Sequence, residues 1–183
     1  MTDSFHLRMA ADSIRAGGVV AYPTEAVYGL GCDPLDYRAV LRVLEIKGRP
    51  VEKGLILLAA DAQQLHPWID VTDAQLARMS EAWPGPVTFL VTPSPLVPDW
   101  ITGRFDKVAV RVSGHPLARR LAALAGTPIV STSANRAGQP SLKNRFQVAR
   151  HFSSQVDFIV TGQCNLAARP STIVDLESGK VLR

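Results

Sequence analysis

Apolar residues along this chain alternate between short unbroken runs and stripes spaced three or four apart, with glycine or proline at most of the switches. The first stripe predicts a helix capped by Ser4 and running to about Arg15, stopped by Gly17 and Gly18. A buried strand over 19–22 follows and ends at Pro23. Asp36 is placed to cap a second helix, whose apolar positions Val40, Val43 and Leu44 keep helical spacing until Gly48 and Pro50 end it. A fully apolar strand over 55–59 precedes a helix over 73–83, closed by Pro84-Gly85-Pro86. Strands over 87–91 and 108–112 flank a loop carrying Pro93, Pro95 and Pro98, and a helix over 115–124 stops at Gly126. Strands over 128–131, 156–160, 171–176 and 180–182 complete the chain. Alternation on this scale means an α/β fold, and some connections are too short for helical crossovers, so a mixed sheet is expected.

Composition leaves that picture intact. The chain has 183 residues, 46% of them hydrophobic and 20% charged, and reads as one domain over 1–183. No apolar run approaches the ~20 residues of a membrane span, so no membrane association is expected. The amphipathic start, with Asp3 and His6, does not read as a signal peptide. Cys32 and Cys164 stand far apart without CxxC spacing and suit reduced thiols of a cytoplasmic protein. Cys32 is also a candidate nucleophile, though without an identifiable base.

Charge changes the picture more. Residues 1–100 carry eight Lys/Arg and twelve Asp/Glu, whereas residues 101–183 carry twelve and four. Between Asp106 and Asp157 there is no acid, but Lys107, Arg111, Arg119, Arg120, Arg136, Lys143, Arg145 and Arg150 are present. Such a span suits an anionic partner, whether nucleotide, carboxylate or RNA backbone, or else a solvated basic face.

Candidate chemistry lies where polar groups interrupt apolar patterns. Lys47 continues the Val40, Val43, Leu44 stripe and should point into the protein body. It either complements the helix dipole or, with Arg49 across Gly48, grips a phosphate at a tight turn. Arg111 interrupts the valines of 108–112, which suits either a carboxylate or phosphate ligand or an edge strand with the arginine in water. Ser131, Ser133 and Asn135 share one side of a strand end, as ligand donors or as turn chemistry. Pro23-Thr24-Glu25 is a similar polar stop ahead of Gly29 and Gly31. No P-loop, GxGxxG, HExxH or GxSxG pattern occurs, and His6, His66, His115 and His151 lie scattered. Pattern alone yields a domain with a cationic site for a small anion, and no reaction.

The same segments resemble the YrdC/TsaC family of threonylcarbamoyl-AMP synthases along nearly the whole chain. They are Ala21 through Leu30, Lys47-Gly48-Arg49-Pro50, Trp83-Pro84-Gly85-Pro86-Val87-Thr88, Val110-Arg111-Val112, Ser131-Thr132-Ser133-Ala134-Asn135 and Pro170-Ser171-Thr172-Ile173-Val174-Asp175. Six segments in that order make a specific signature. The resemblance implies an open twisted mixed sheet with flanking helices and a concave electropositive face. It implies L-threonine, bicarbonate and ATP as substrates, with Mg²⁺. On the matching positions Lys47 and Arg49 would hold the phosphates, with Ser131, Ser133, Asn135, Ser141 and Arg183 as further ATP contacts. Thr24, Arg111 and Ser171 would hold threonine, with Arg111 on its carboxylate. The metal's ligands stay open, with Glu25, Asp33 and Asp175 as carboxylates to consider. The product would serve threonylcarbamoyl modification of tRNA through a separate transferase complex. The chain departs from the family pattern at Ala26, at Lys53-Gly54 and at Ala137. The rival expectation is a double-stranded RNA-binding or ribosome-assembly protein, with weak tRNA or double-stranded RNA binding on the same basic face.

Overall fold

The structure is a computed structural model that describes every residue except Met1, Arg169 and Arg183, and only the backbone of residues 2–4. In chain order its elements are α1 (Thr2–Arg15), β1 (Val20–Pro23), β2 (Tyr28–Gly31), α2 (Tyr37–Lys47), β3 (Ile56–Ala59), α3 (Ala62–Leu65), α4 (Asp73–Ala82) and β4 (Val87–Val91). They continue with α5 (Asp99–Thr102), β5 (Val108–Val112), α6 (Pro116–Ala125), β6 (Ile129–Ser133), α7 (Arg145–Phe152), β7 (Phe158–Ile159) and β8 (Thr172–Asp175). The strands form one eight-stranded sheet in the order β7-β1-β2-β6-β3-β5-β4-β8. It is mixed, as the short connections require: β1–β7, β3–β5 and β4–β8 are parallel, and the other neighbours antiparallel. Among the described residues no helix is long and apolar enough to cross a membrane.

Local signals act largely as read. The Asp36 carboxylate accepts from Ala39 N at 3.1 Å, satisfying one of the amides left over at the start of α2. Gly48 ends the helix in the left-handed conformation at φ 58°, which returns Arg49 N to Leu44 O at 3.0 Å. A capping box of Thr72 and Gln75 starts α4. Other expectations are corrected. Ser4 is not a cap, because α1 begins at Thr2. The strand over 156–160 shortens to the two residues of β7. The strand over 180–182 reduces to one bridge between Val174 and Val181, flanked by hydrogen bonds from Asp175 N to Lys180 O and from Leu182 N to Ile173 O. Neither β2 nor α7 was expected.

Strand alternation divides the core. Val19, Ala21, Leu57, Val110 and Val130 face the larger cluster with α2, while Val20, Tyr22, Leu58 and Ile129 face the smaller one under α1 and α6. Arg111 pairs in register with Leu58 and shares the α1/α6 face. Beyond those helices the same face is uncovered, and the hollow there carries the polar positions singled out from the sequence.

Candidate active site

The hollow is a cavity of about 740 Å³. Its floor comes from Gly29, Ile56, Ala109, Arg111, Ser131 and Ser133, inward residues of four adjacent strands. Thr24, Glu25, Arg49, Ser141 and Ser171 stand around it. Four cations (Arg49, Lys53, Lys107, Arg111) face three carboxylates (Glu25, Asp106, Asp175) among the described lining residues. Within that lining Arg111 is paired with Glu25 and Lys107 with Asp175, while Arg49 and Lys53, four residues apart in one turn, form a basic wall.

Lys47 lies behind that wall rather than on it. At 4% exposure it is nearly as buried as the valines of its stripe. Its ammonium donates to Ser133 O at 2.6 Å, Asn135 O at 3.0 Å and Asn135 Oδ1 at 3.3 Å. Burial, and then the neighbouring charge of Arg49, lower its pKa to about 8. Arg49 reaches the cavity, and its Nη2 donates to Lys53 O at 3.0 Å and Gly54 O at 2.9 Å. The Ser133 hydroxyl donates to Asn135 Oδ1 at 2.6 Å, and Asn135 Nδ2 donates to the carbonyls of Arg136 and Gln139. Asn135 therefore shapes the loop and does not line the cavity, unlike Ser131, Ser133 and Ser141.

The opposite wall is built around an ion pair. Arg111 Nη2 meets Glu25 Oε1 at 2.5 Å, and Arg111 Nε donates to Gly85 O at 3.1 Å. Glu25 also accepts from Gly114 N at 2.5 Å and from the Ser113 hydroxyl at 2.8 Å. Burial raises the Glu25 pKa, but the Arg111 charge and the hydrogen bonds to its oxygens outweigh that and hold it below the usual carboxylate value. Thr24 donates its hydroxyl to Val27 O at 2.7 Å, and the Thr88 hydroxyl donates to Ser171 Oγ at 3.2 Å.

Of the sequence candidates, Thr24, Arg49, Arg111, Ser131, Ser133, Ser141 and Ser171 line one cavity. Lys47 and Asn135 support it from behind, and Arg183 lies outside the described residues. Cys32 is overturned as a nucleophile: it is fully buried away from the cavity, and burial pushes its thiol pKa far up. Asp33 is a turn acceptor for Leu35 N at 2.8 Å. Asp175 binds Lys107 at 2.6 Å, which with the Ser178 amide lowers its pKa to about 2. Among the described residues no three His, Cys, Asp or Glu side chains gather as a metal site. Sequence reasoning passed over the Glu25–Arg111 pair, although an arginine inside a valine strand requires a counter-charge somewhere.

The chain is similar to known proteins along nearly its whole length. The family model Sua5_yciO_yrdC, described as telomere recombination, matches residues 12–183. A threonylcarbamoyl-AMP synthase of Stutzerimonas stutzeri is 50% identical over 184 residues, covering 100% of this chain and 99% of its own. One of Cellvibrio japonicus is 51% identical over 175 residues, covering 95% and 93%. Among solved structures, P. abyssi Sua5 complexed with L-threonine superposes with a TM-score of 0.90 at 39% identity over 97% of this chain. This chain spans about half of that one, 53% of its length.

Proposed function

The chain belongs to the Sua5–YciO–YrdC family, and we propose that it joins L-threonine, bicarbonate or CO₂, and ATP into L-threonylcarbamoyl-AMP and pyrophosphate. The observation that carries this reading is the end-to-end 50% identity to a threonylcarbamoyl-AMP synthase. A cavity of about 740 Å³ with separate cationic and ion-paired walls supports it, since small-molecule sites span about 300–1,000 Å³.

The residues suit a reaction governed by placement and charge. The threonine amine adds to CO₂ to give a carbamate with loss of a proton, or condenses with bicarbonate with loss of water. A carbamate oxygen then attacks the ATP α-phosphorus, a new O–P bond forms, and the bond to pyrophosphate breaks. The nucleophile is already anionic, so no side chain has to remove a proton at that step. Arg111 would take the threonine carboxylate on the Nη1 end of its fork, which has no protein acceptor among the described residues. Thr24 and Ser171 would border the amino acid beside it, because Thr24 precedes the Arg111 partner Glu25 and Ser171 is bonded to Thr88 of β4, the strand next to β5. Arg49 would meet the triphosphate, with the Ser131, Ser133 and Ser141 hydroxyls lining the nucleotide side. Lys47 would set the Ser133–Asn135 loop from behind and add positive charge to it. Mg²⁺ would enter as the ATP complex, coordinated largely by phosphate and water.

The product is a mixed anhydride of a carbamic and a phosphoric acid, chemistry suited to acyl transfer. Its consumer would be a threonylcarbamoyl transferase complex acting on adenosine in tRNA, in the cytoplasm where ATP and tRNA are found. The test is pyrophosphate release by the purified chain with ATP, threonine and bicarbonate. Release should require all three, with threonylcarbamoyl-AMP identified by mass. A well-folded chain that gives no threonine-dependent product overturns the proposal.

A further inference from the structure

Glu25 lines the cavity, yet the reaction just described gives it no task. We propose that Glu25 is the positioning residue for Arg111, holding its guanidinium so that the free end of the fork receives the substrate carboxylate. The inference rests on reading Arg111 as the anchor of the threonine carboxylate.

An arginine reaches its target through a long, freely rotating stem, and a bidentate grip works only if the plane of the fork is set beforehand. Here the plane is set at two points, Gly85 O on Nε and Glu25 Oε1 on Nη2. Glu25 is in turn fixed from outside the cavity. Gly114 N and the Ser113 hydroxyl hold its two oxygens, and Ser113 is fully buried. The sequence Ser113-Gly114 directly follows β5, so the strand that carries Arg111 also carries the clamp on its partner. Held below the usual carboxylate value, Glu25 stays charged through neutral pH and is poorly suited to remove a proton from the amine. Its geometry suits restraint instead.

Two effects of removing the charge oppose each other. A vacated counter-charge would strengthen Arg111's attraction for any anion. A fork released from Glu25 would lose its fixed plane. Threonine is a zwitterion, so the first effect largely cancels between its ammonium and its carboxylate. The second remains, and threonine binding should weaken.

The experiment varies threonine and ATP separately for the full chain and for Glu25→Gln and Ser113→Ala, with threonine binding also measured by calorimetry without turnover. Glu25→Gln should raise the threonine KM about tenfold and leave the ATP KM within about twofold, the pattern of one lost charge-assisted contact. Ser113→Ala, which loosens Glu25 without touching the cavity, should move the threonine KM the same way by about threefold, the size of one weak hydrogen bond. A threonine KM that is unchanged or lower in either variant overturns the proposal, as does an equal rise in the ATP KM. If Glu25→Gln fails to fold, the Ser113→Ala result decides alone. A wild-type chain that binds threonine but forms no adenylate would sink the synthase reading, while threonine affinities would still decide the role of Glu25. A wild-type chain that does neither overturns both.

Discussion

Lys47 and Ser133 are joined by a 2.6 Å hydrogen bond from the buried ammonium to the backbone carbonyl, across 86 residues of sequence. With the two further bonds to Asn135, all three ammonium hydrogens are directed at one loop. Ala137 N closes the arrangement by donating to Lys47 O at 2.7 Å. The last turn of α2 and the end of β6 are therefore tied together, and the loop of Ser133 is held by a residue that does not line the cavity.

Lys47→Met tests that dependence. Methionine fills the apolar course of the stem but leaves the Asn135 carbonyl without its donor and Ser133 O with only its bond from Asn135 N. Each orphaned group costs about 1–3 kcal/mol, so the variant should lose several degrees of Tm as well as most turnover. Thermal unfolding and pyrophosphate release, measured together, check it. Full stability with lost turnover would show that the ammonium acts on substrate and not on the loop.

Arg49→Ala should separate the two quantities. Arg49 is half-buried, and the acceptors of its Nη2, Lys53 O and Gly54 O, belong to a surface turn that water can reach. Removal of one preorganised cation at a phosphate typically costs 10²–10³ in rate, about 3–4 kcal/mol of transition-state stabilisation. Turnover should fall by about that factor, with a higher ATP KM and a Tm within about 2 degrees of the parent. Equal losses in both would assign Arg49 to the scaffold.

Elements defined by their own composition were readable before the fold was known. The apolar runs over 87–91 and 108–112 are β4 and β5 residue for residue, because Pro86 and the proline loop bound the first and period-two valines define the second. β2 was hidden because its reason is tertiary. Gly29 and Gly31 weaken any strand signal, yet the ring of Tyr22 packs against both, and only the sheet reveals why side chains are missing there. α7 buries only Val148 and Phe152, too few for a stripe, although Asn144 accepting from Gln147 N is a cap signal that pattern reading passed over. Within the site, Lys47 and Arg111 stood out as charges interrupting apolar spacing. Glu25 did not, since it sits in the turn between β1 and β2, where a charge breaks no periodic pattern. Only the order β1-β2-β6-β3-β5 brings that turn to a strand 86 residues away.

Gly31→Ala follows from the same packing. A β-carbon there would lie 2.4 Å from Val130 O and 2.8 Å from Tyr22 Cε1, and neither a ladder carbonyl nor a fully buried ring can retreat cheaply. Overpacking of this kind costs about 1–3 kcal/mol. Urea unfolding should show a lower midpoint with an unchanged slope. Gly138→Ala is the contrast: its space is open and only its φ of 76° resists, so the loss should be smaller, near the 1 kcal/mol or so of a left-handed backbone penalty.

Part of the acid sensitivity should trace to Asp175. Its carboxylate takes a 2.6 Å contact from Lys107 and hydrogen bonds from the Ser178 amide and hydroxyl, which together lower its pKa from 3.8 to about 2. In the unfolded chain those partners are gone and the ordinary value returns. Between the two values the unfolded chain binds the proton more readily than the folded one, so stability falls as pH drops. The contribution is complete above about pH 4 and is lost as pH falls through about 2. Asp175→Asn removes the titrating group and keeps an acceptor for Ser178, so its stability should be lower than the parent's at pH 7. The difference between the two proteins should shrink steadily as pH falls from about 4 to about 2. Chemical unfolding at a series of pH values measures that difference directly, and a gap that stays constant across the range would exclude Asp175 as its source.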